Sequence, residues 1–156
     1  MTDTNKRPGT VPGIDPERRL TSDAELAEFL GDLLQRATHR QFWMLFLDDE
    51  QRLMEPIMPM DDHPLDPGEL AETEDLGLAP FARVVVDRVG MIVEWIGASS
   101  VVFVWERRGP DKFTPEDRAW AGGFADESGR VGLPLRAQFV LHSRGLRQMA
   151  ADDYAV

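Results

Sequence analysis

Apolar positions along the chain switch between two spacings. Leu26, Phe29, Leu30, Leu33 and Leu34 recur at helical intervals, and Ser22-Asp23-Ala24-Glu25 fits an S-x-x-E capping box, so a helix is predicted from Asp23 to about Ala37. Gln41–Leu47 is a continuous apolar run, short enough to be a strand buried on both faces. A polar turn over Asp48–Gln51 leads into a second strand, Arg52–Met60, where Pro56 implies an edge position or a bulge. Phe81, Val84, Val85, Val89, Ile92, Val93 and Ile96 predict a helix with Pro80 in its first turn and Gly97 at its end. Ser99–Trp105 is another apolar strand. Thr114-Pro115-Glu116-Asp117 then carries every mark of a helix start, with Thr as N-cap, Pro first, and acids in the first turn. That helix turns Trp120, Phe124 and Val131 towards the core and stops at Gly132. Leu135–Leu141 is a third apolar strand, and Gly145 turns the chain into a short last one, Leu146–Met149.

The order αββαβαββ predicts an α/β fold with three αβα layers around a mixed central sheet, the Phe42 and Val101 strands lying centrally. Residues 1–19, rich in Pro, Gly, Thr and charge, are expected to form a flexible tail, and residues 20–156 a single domain. Asp61–Ala79 is predicted to be a long loop. It carries seven acids and no Lys or Arg between Asp61 and Asp75.

Composition narrows the chemistry. The longest apolar run, Phe42–Leu47, is far too short to span a bilayer, and the polar N-terminus shows no secretory pattern, so a cytoplasmic location is expected. The chain has no cysteine, which excludes disulfides, thiolate catalysis and cysteine zinc sites. With 28 acids against 17 bases the net charge is −11, which argues against nucleic acid and anionic membrane as partners.

The hairpin Phe42–Met58, FWMLFLDDEQRLMEPIM, resembles the opening of the RadC-type branch of the JAB/MPN (JAMM) metalloprotease-like fold. The run Ser99–Leu141 is similar to that family's second half, where a strand ends in H-x-H-P and a loop leads to a helix opened by S-x-x-D. The resemblance covers roughly Arg40 to Met149 and implies a JAB/cytidine-deaminase-like fold. It would place the family's water-activating glutamate at Glu55 and its metal-binding aspartate at Asp117, within Thr114-Pro115-Glu116-Asp117. The two strand-end histidines, which hold zinc together with that aspartate, would fall near Trp105 and Arg107. Neither residue here donates a lone pair to a metal. The expected metal set and cofactor list are therefore empty, and Arg107 is expected to pair with Asp117 or Glu55. The chain also lacks room for the helix-hairpin-helix segment of full-length RadC proteins.

Three readings follow. The leading one is a non-catalytic RadC/JAB-like domain that binds a protein or peptide partner or associates with itself. Its binding residues would be Trp105, Arg107, Arg108, Lys112 and Thr114. The second is a divergent hydrolase using Glu55 and Asp117 with a different metal or none. The third is a small-anion or nucleotide sensor at Arg107 and Arg108, since cations before a helix N-terminus attract anions. Other chemistry has thinner support. His39, His63 and His142 lie in separate segments, and Asp61-Asp62-His63 reads as an acidic, solvated loop. No G-x-S-x-G or phosphate-loop motif occurs. Trp95, beside Glu94 late in its helix, is a candidate exposed aromatic at a partner surface.

Overall fold

The computed structural model describes residues 15–154. Helix α1 spans Asp23–Leu34, and the Ser22 hydroxyl accepts the Glu25 amide at 3.1 Å, one half of the predicted capping box; the Glu25 carboxylate accepts the Thr21 and Ser22 hydroxyls instead of the Ser22 amide. It ends short of Ala37 because Gln35 turns to φ 65° and its amide closes on the Gly31 carbonyl. The predicted tail 1–19 falls mostly outside the described residues. Its last part is tied down by Arg18–Glu28 and Arg19–Glu50 ion pairs, and Leu20 beyond it is fully buried.

Strands β1 (Gln41–Leu47) and β2 (Leu53–Asp61) form an antiparallel hairpin. Proline has no N–H for a ladder, and β2 meets both expectations for Pro56: it is an edge strand, and its register shifts between Met44 and Phe46 of β1. The loop predicted over Asp61–Ala79 is a correction. It contains β3 (Leu70–Thr73) and β4 (Gly77–Pro80), paired as a separate two-stranded sheet. Its packed side carries small residues such as Ala71 and Ala79, so the strands have almost no apolar alternation to read. Pro80 ends β4 and caps α2 (Phe81–Ile96) instead of lying within its first turn, and Gly97 stops the helix at φ 71°.

Strand β5 (Ser100–Glu106) is followed by α3 (Pro115–Val131), β6 (Leu135–His142), β7 (Gly145–Met149) and a final turn of helix, α4 (Ala151–Tyr154). Val131, predicted to face the core, is exposed at the end of α3 beside the Gly132 stop. The main sheet runs β2-β1-β5-β6-β7, mixed because β5 and β6 are parallel while every other neighbouring pair is antiparallel.

Side chains alternate across each strand, so the central strands feed two cores. On one face Leu45, Val102, Val104 and Phe139 pack with Leu26, Phe29 and Leu30 of α1. On the other Phe42, Phe46, Phe103 and Trp105 pack with Val86 and Val89 of α2 and Trp120 and Phe124 of α3. Fully burying each such side chain is worth about 1.5–3 kcal/mol. Among the described residues no helix is long and apolar enough to cross a membrane.

Register decides what gathers at each end of the sheet. Gln41 pairs with both Asp61 and Glu106, Glu106 pairs with Leu141, and His142 pairs with Gly145. The start of β1, the ends of β2, β5 and β6, and the β6–β7 turn therefore share one end. The N-terminus of α3 lies over that end.

Candidate functional site

The loop Arg107–Phe113 leaves β5 at this end and returns into α3, whose N-cap Thr114 accepts the Asp117 amide at 3.0 Å. The Asp117 carboxylate accepts the Thr114 amide at 2.9 Å, completing the capping box. Asp117 also holds Arg107, whose Nη2 and Nε approach its Oδ2 at 2.8 and 3.2 Å. The pair is largely removed from solvent, with side chains 15% and 4% exposed. The same guanidinium donates to the Pro110 and Lys112 carbonyls at 2.6 and 2.8 Å. Arg107 thus closes its own loop with nearly its whole donor set.

A second arginine works in parallel. Arg40, just before β1, donates to Glu116 at 2.6 and 2.8 Å and to the His63 and Pro64 carbonyls at 2.6 and 2.9 Å. Two arginine–carboxylate pairs therefore pin the first turn of α3 onto the sheet. Between them lies a cavity of about 20 Å³ lined by Arg40, Gln41, His63, Trp105, Arg107 and Asp117, enough for about one water molecule.

His63 is buried there, correcting the solvated loop expected from its acidic neighbours. Its ring meets Phe42 and Trp120 edge-on, each at 5.1 Å, and its Nδ1 has no hydrogen-bond partner among the described residues. Burial, reinforced by the Arg40 charge and opposed by Asp61, pushes its pKa down to about 4 from 6.5. The folded state then binds fewer protons than the unfolded chain between those values, so stability is fully present above pH 6.5 and is lost as the pH falls towards 4. The loss amounts to roughly 3 kcal/mol. His63→Phe is expected to remove most of this acid sensitivity between pH 6.5 and 4 in urea titrations, and an unchanged pH profile would refute the assignment.

Glu106 ends β5 on the opposite face and is also buried. Its Oε2 accepts the Thr38 amide at 2.7 Å, the Thr38 hydroxyl at 3.1 Å and the His39 amide at 3.3 Å. Its Oε1 accepts Gln41 Nε2 at 2.8 Å and Trp43 Nε1 at 2.9 Å. Burial alone would raise its pKa, but these donors outweigh burial and hold it below the usual carboxylate range.

Of the residues singled out in the sequence, Trp105, Arg107 and Asp117 line this cleft, and Thr114 caps the helix beside it. Trp105 packs its indole against Phe42, Trp120 and Phe124 and donates to Gln138 at 3.0 Å. Arg108 and Lys112 lie on the exposed outer loop, where Arg108 Nε donates to the Thr38 carbonyl at 2.6 Å. Glu55 does not join them. It is exposed in the irregular stretch of β2, between the residues paired with Phe46 and Met44, and is absent from the cleft lining. Several residues of strand rise, at about 3.3 Å each, separate that stretch from Gln41. The expected pairing of Arg107 with Asp117 or Glu55 resolves to Asp117. Arg40 and Glu106 escaped sequence reading, as did the burial of His63 and the partner of Glu116, because these roles depend on contacts across 23 to 76 residues of chain.

The zinc implied by the resemblance does not fit these residues. Trp105 and Arg107 offer no lone pair, and Asp117 is already engaged. Among the described residues no three His, Asp or Glu side chains converge as metal ligands. No protein-family model and no curated protein matches the chain.

Proposed function

We propose that the chain is a non-catalytic binding domain on a RadC/JAB-like scaffold, acting through a protein partner or a second copy of itself. The observation that carries this reading is the Arg107–Asp117 pair, which stands where the resemblance would put a metal and spends both side chains on holding the loop and helix. The cavity between it and the neighbouring Arg40–Glu116 pair has room for about one water. The mixed sheet between helices is compatible with that scaffold.

The same geometry weakens the hydrolase alternative, since Glu55 and Asp117 do not face one cleft. It weakens the anion sensor at Arg107 too, whose guanidinium is spent internally. Metal analysis of purified protein is expected to give far less than stoichiometric zinc after zinc loading, with no peptide or isopeptide hydrolysis. Stoichiometric zinc together with hydrolysis lost in Asp117→Asn would overturn the reading.

A further inference from the structure

The charges at this end of the sheet are sorted by side. Among the described residues seven Lys or Arg side chains pair with no described carboxylate. Five of them cluster at this end: Arg36, Arg108, Lys112 and Arg144 sit on three neighbouring loops, and Arg147 stands on β7 beside them. Those loops are stitched together. The Ala37 amide donates to the His142 carbonyl at 2.9 Å, and the Ser143 amide to the Gly109 carbonyl at 3.1 Å. The Gly109 amide returns to Ser143 Oγ at 2.8 Å, and Arg147 lies 4.2 Å over the Phe113 ring. Asp111 is the acid among them, and its carbonyl accepts Arg147 at 3.0 Å.

The other side of the same end, beyond β1, is acidic. Asp61 closes β2 opposite Gln41, and Asp62 and Asp66 follow, all exposed. Asp61 and Asp62 pair with no described cation, and between the acids stands Leu65, 72% exposed. Across the sheet order the sequence is therefore acidic edge, β1, cationic loops.

A two-fold axis lying just beyond this end, normal to the sheet and so perpendicular to the strands, would lay each acidic edge on the partner's cationic loops, twice over. We propose that this end of the sheet pairs two copies of the chain in that way, with Leu65 as the apolar anchor between the charges. The inference names the partner of the binding domain argued above and rests on that reading. A second copy suits the surface because both complementary halves are present on one chain. A polyanion such as nucleic acid would meet the acidic edge beside its own binding side, on a molecule of net charge −11. Charge pairs at a rim also make association salt-dependent, which gives the test its handle.

The experiment is sedimentation of the full chain at low and high salt, with two charge-reversed variants. The wild type is expected to dimerise at about 50 mM salt and to weaken at least about tenfold at 500 mM. Arg108→Glu/Arg144→Glu and Asp61→Lys/Asp62→Lys are each expected to be monomeric, with melting curves checking that they fold. An equimolar mixture of the two is expected to form heterodimers, because both contacts are then opposite in sign again. Recovery on mixing does not follow from a folding defect. A wild type monomeric at low salt overturns the proposal, as does a dimer indifferent to salt, or variants that stay dimeric. A monomer that binds a glutamate-rich peptide through Arg108 and Arg144 would assign the surface to another protein and overturn self-pairing. Zinc-dependent hydrolysis would instead defeat the binding-domain reading and leave the sedimentation result standing.

Discussion

Asp117→Ala is expected to lower the unfolding free energy by about 3–5 kcal/mol, the range for removing one partner of a buried ion pair. At this chain length that is a fall in melting temperature of roughly 6–20 °C. Two losses combine. Arg107 keeps a charge with little access to water and no carboxylate partner, and the Thr114 amide loses its acceptor at the head of α3. Asp117→Asn keeps an oxygen for that amide and removes only the charge, so it should fall between wild type and alanine. Arg107→Met/Asp117→Leu should recover much of the loss, since a buried pair replaced by apolar side chains is often near neutral. Thermal and urea unfolding of the four proteins check this. The outcome also separates the functional readings. A carboxylate kept for chemistry is commonly neutral or stabilising to remove, so an Asp117→Ala protein as stable as wild type would count against the lock and for a reactive site.

Glu106→Gln should cost about 2–4 kcal/mol despite its equal size. Each carboxylate oxygen accepts at least two hydrogen bonds: Oε1 faces Gln41 and Trp43, and Oε2 faces Thr38 and His39. Glutamine has one oxygen and one NH2, so whichever way it turns, a donor points at donors. The affected contacts hold Thr38–Gln41, which includes Arg40, so the loss should also loosen the Arg40–Glu116 pair. Amide exchange at Thr38 and His39 is the local readout. The sign of the pH dependence follows from a folded pKa held below the ordinary 4.5. Glu106 contributes its stability above pH 4.5 and gives it up as the pH falls through the folded value, so wild type and Glu106→Gln should converge below that window. Parallel profiles down to the acid transition would show that Glu106 does not make this contribution.

Much of the architecture was legible because it rests on local signals. The N-cap at Ser22, the capping box at Thr114 and the stops at Gly97 and Gly132 are short-range hydrogen-bonding and backbone preferences. The continuous apolar runs at Gln41–Leu47 and Val101–Trp105 announce strands covered on both sides. The β3–β4 hairpin was hidden because two four-residue strands pack small side chains and carry acids elsewhere. Val131 kept helical spacing yet lies on the last turn, past the part of α3 that meets the sheet.

The site divides along the same line. The sequence by itself determined that Asp117 opens a capped helix, that Arg107 leaves a buried strand, and that the two sit ten residues apart across a short loop. Their pairing needs little more than that. Only the tertiary structure decided that Arg40 joins them from the other side of β1, that His63 turns into the aromatic cluster, and that Glu106 gathers five donors. Only it placed the acidic end of β2 and the cationic loops at one end of one sheet. The physical reason is strand register: pairing Gln41 with both Asp61 and Glu106 brings together residues 20 to 65 positions apart, and no local preference encodes that.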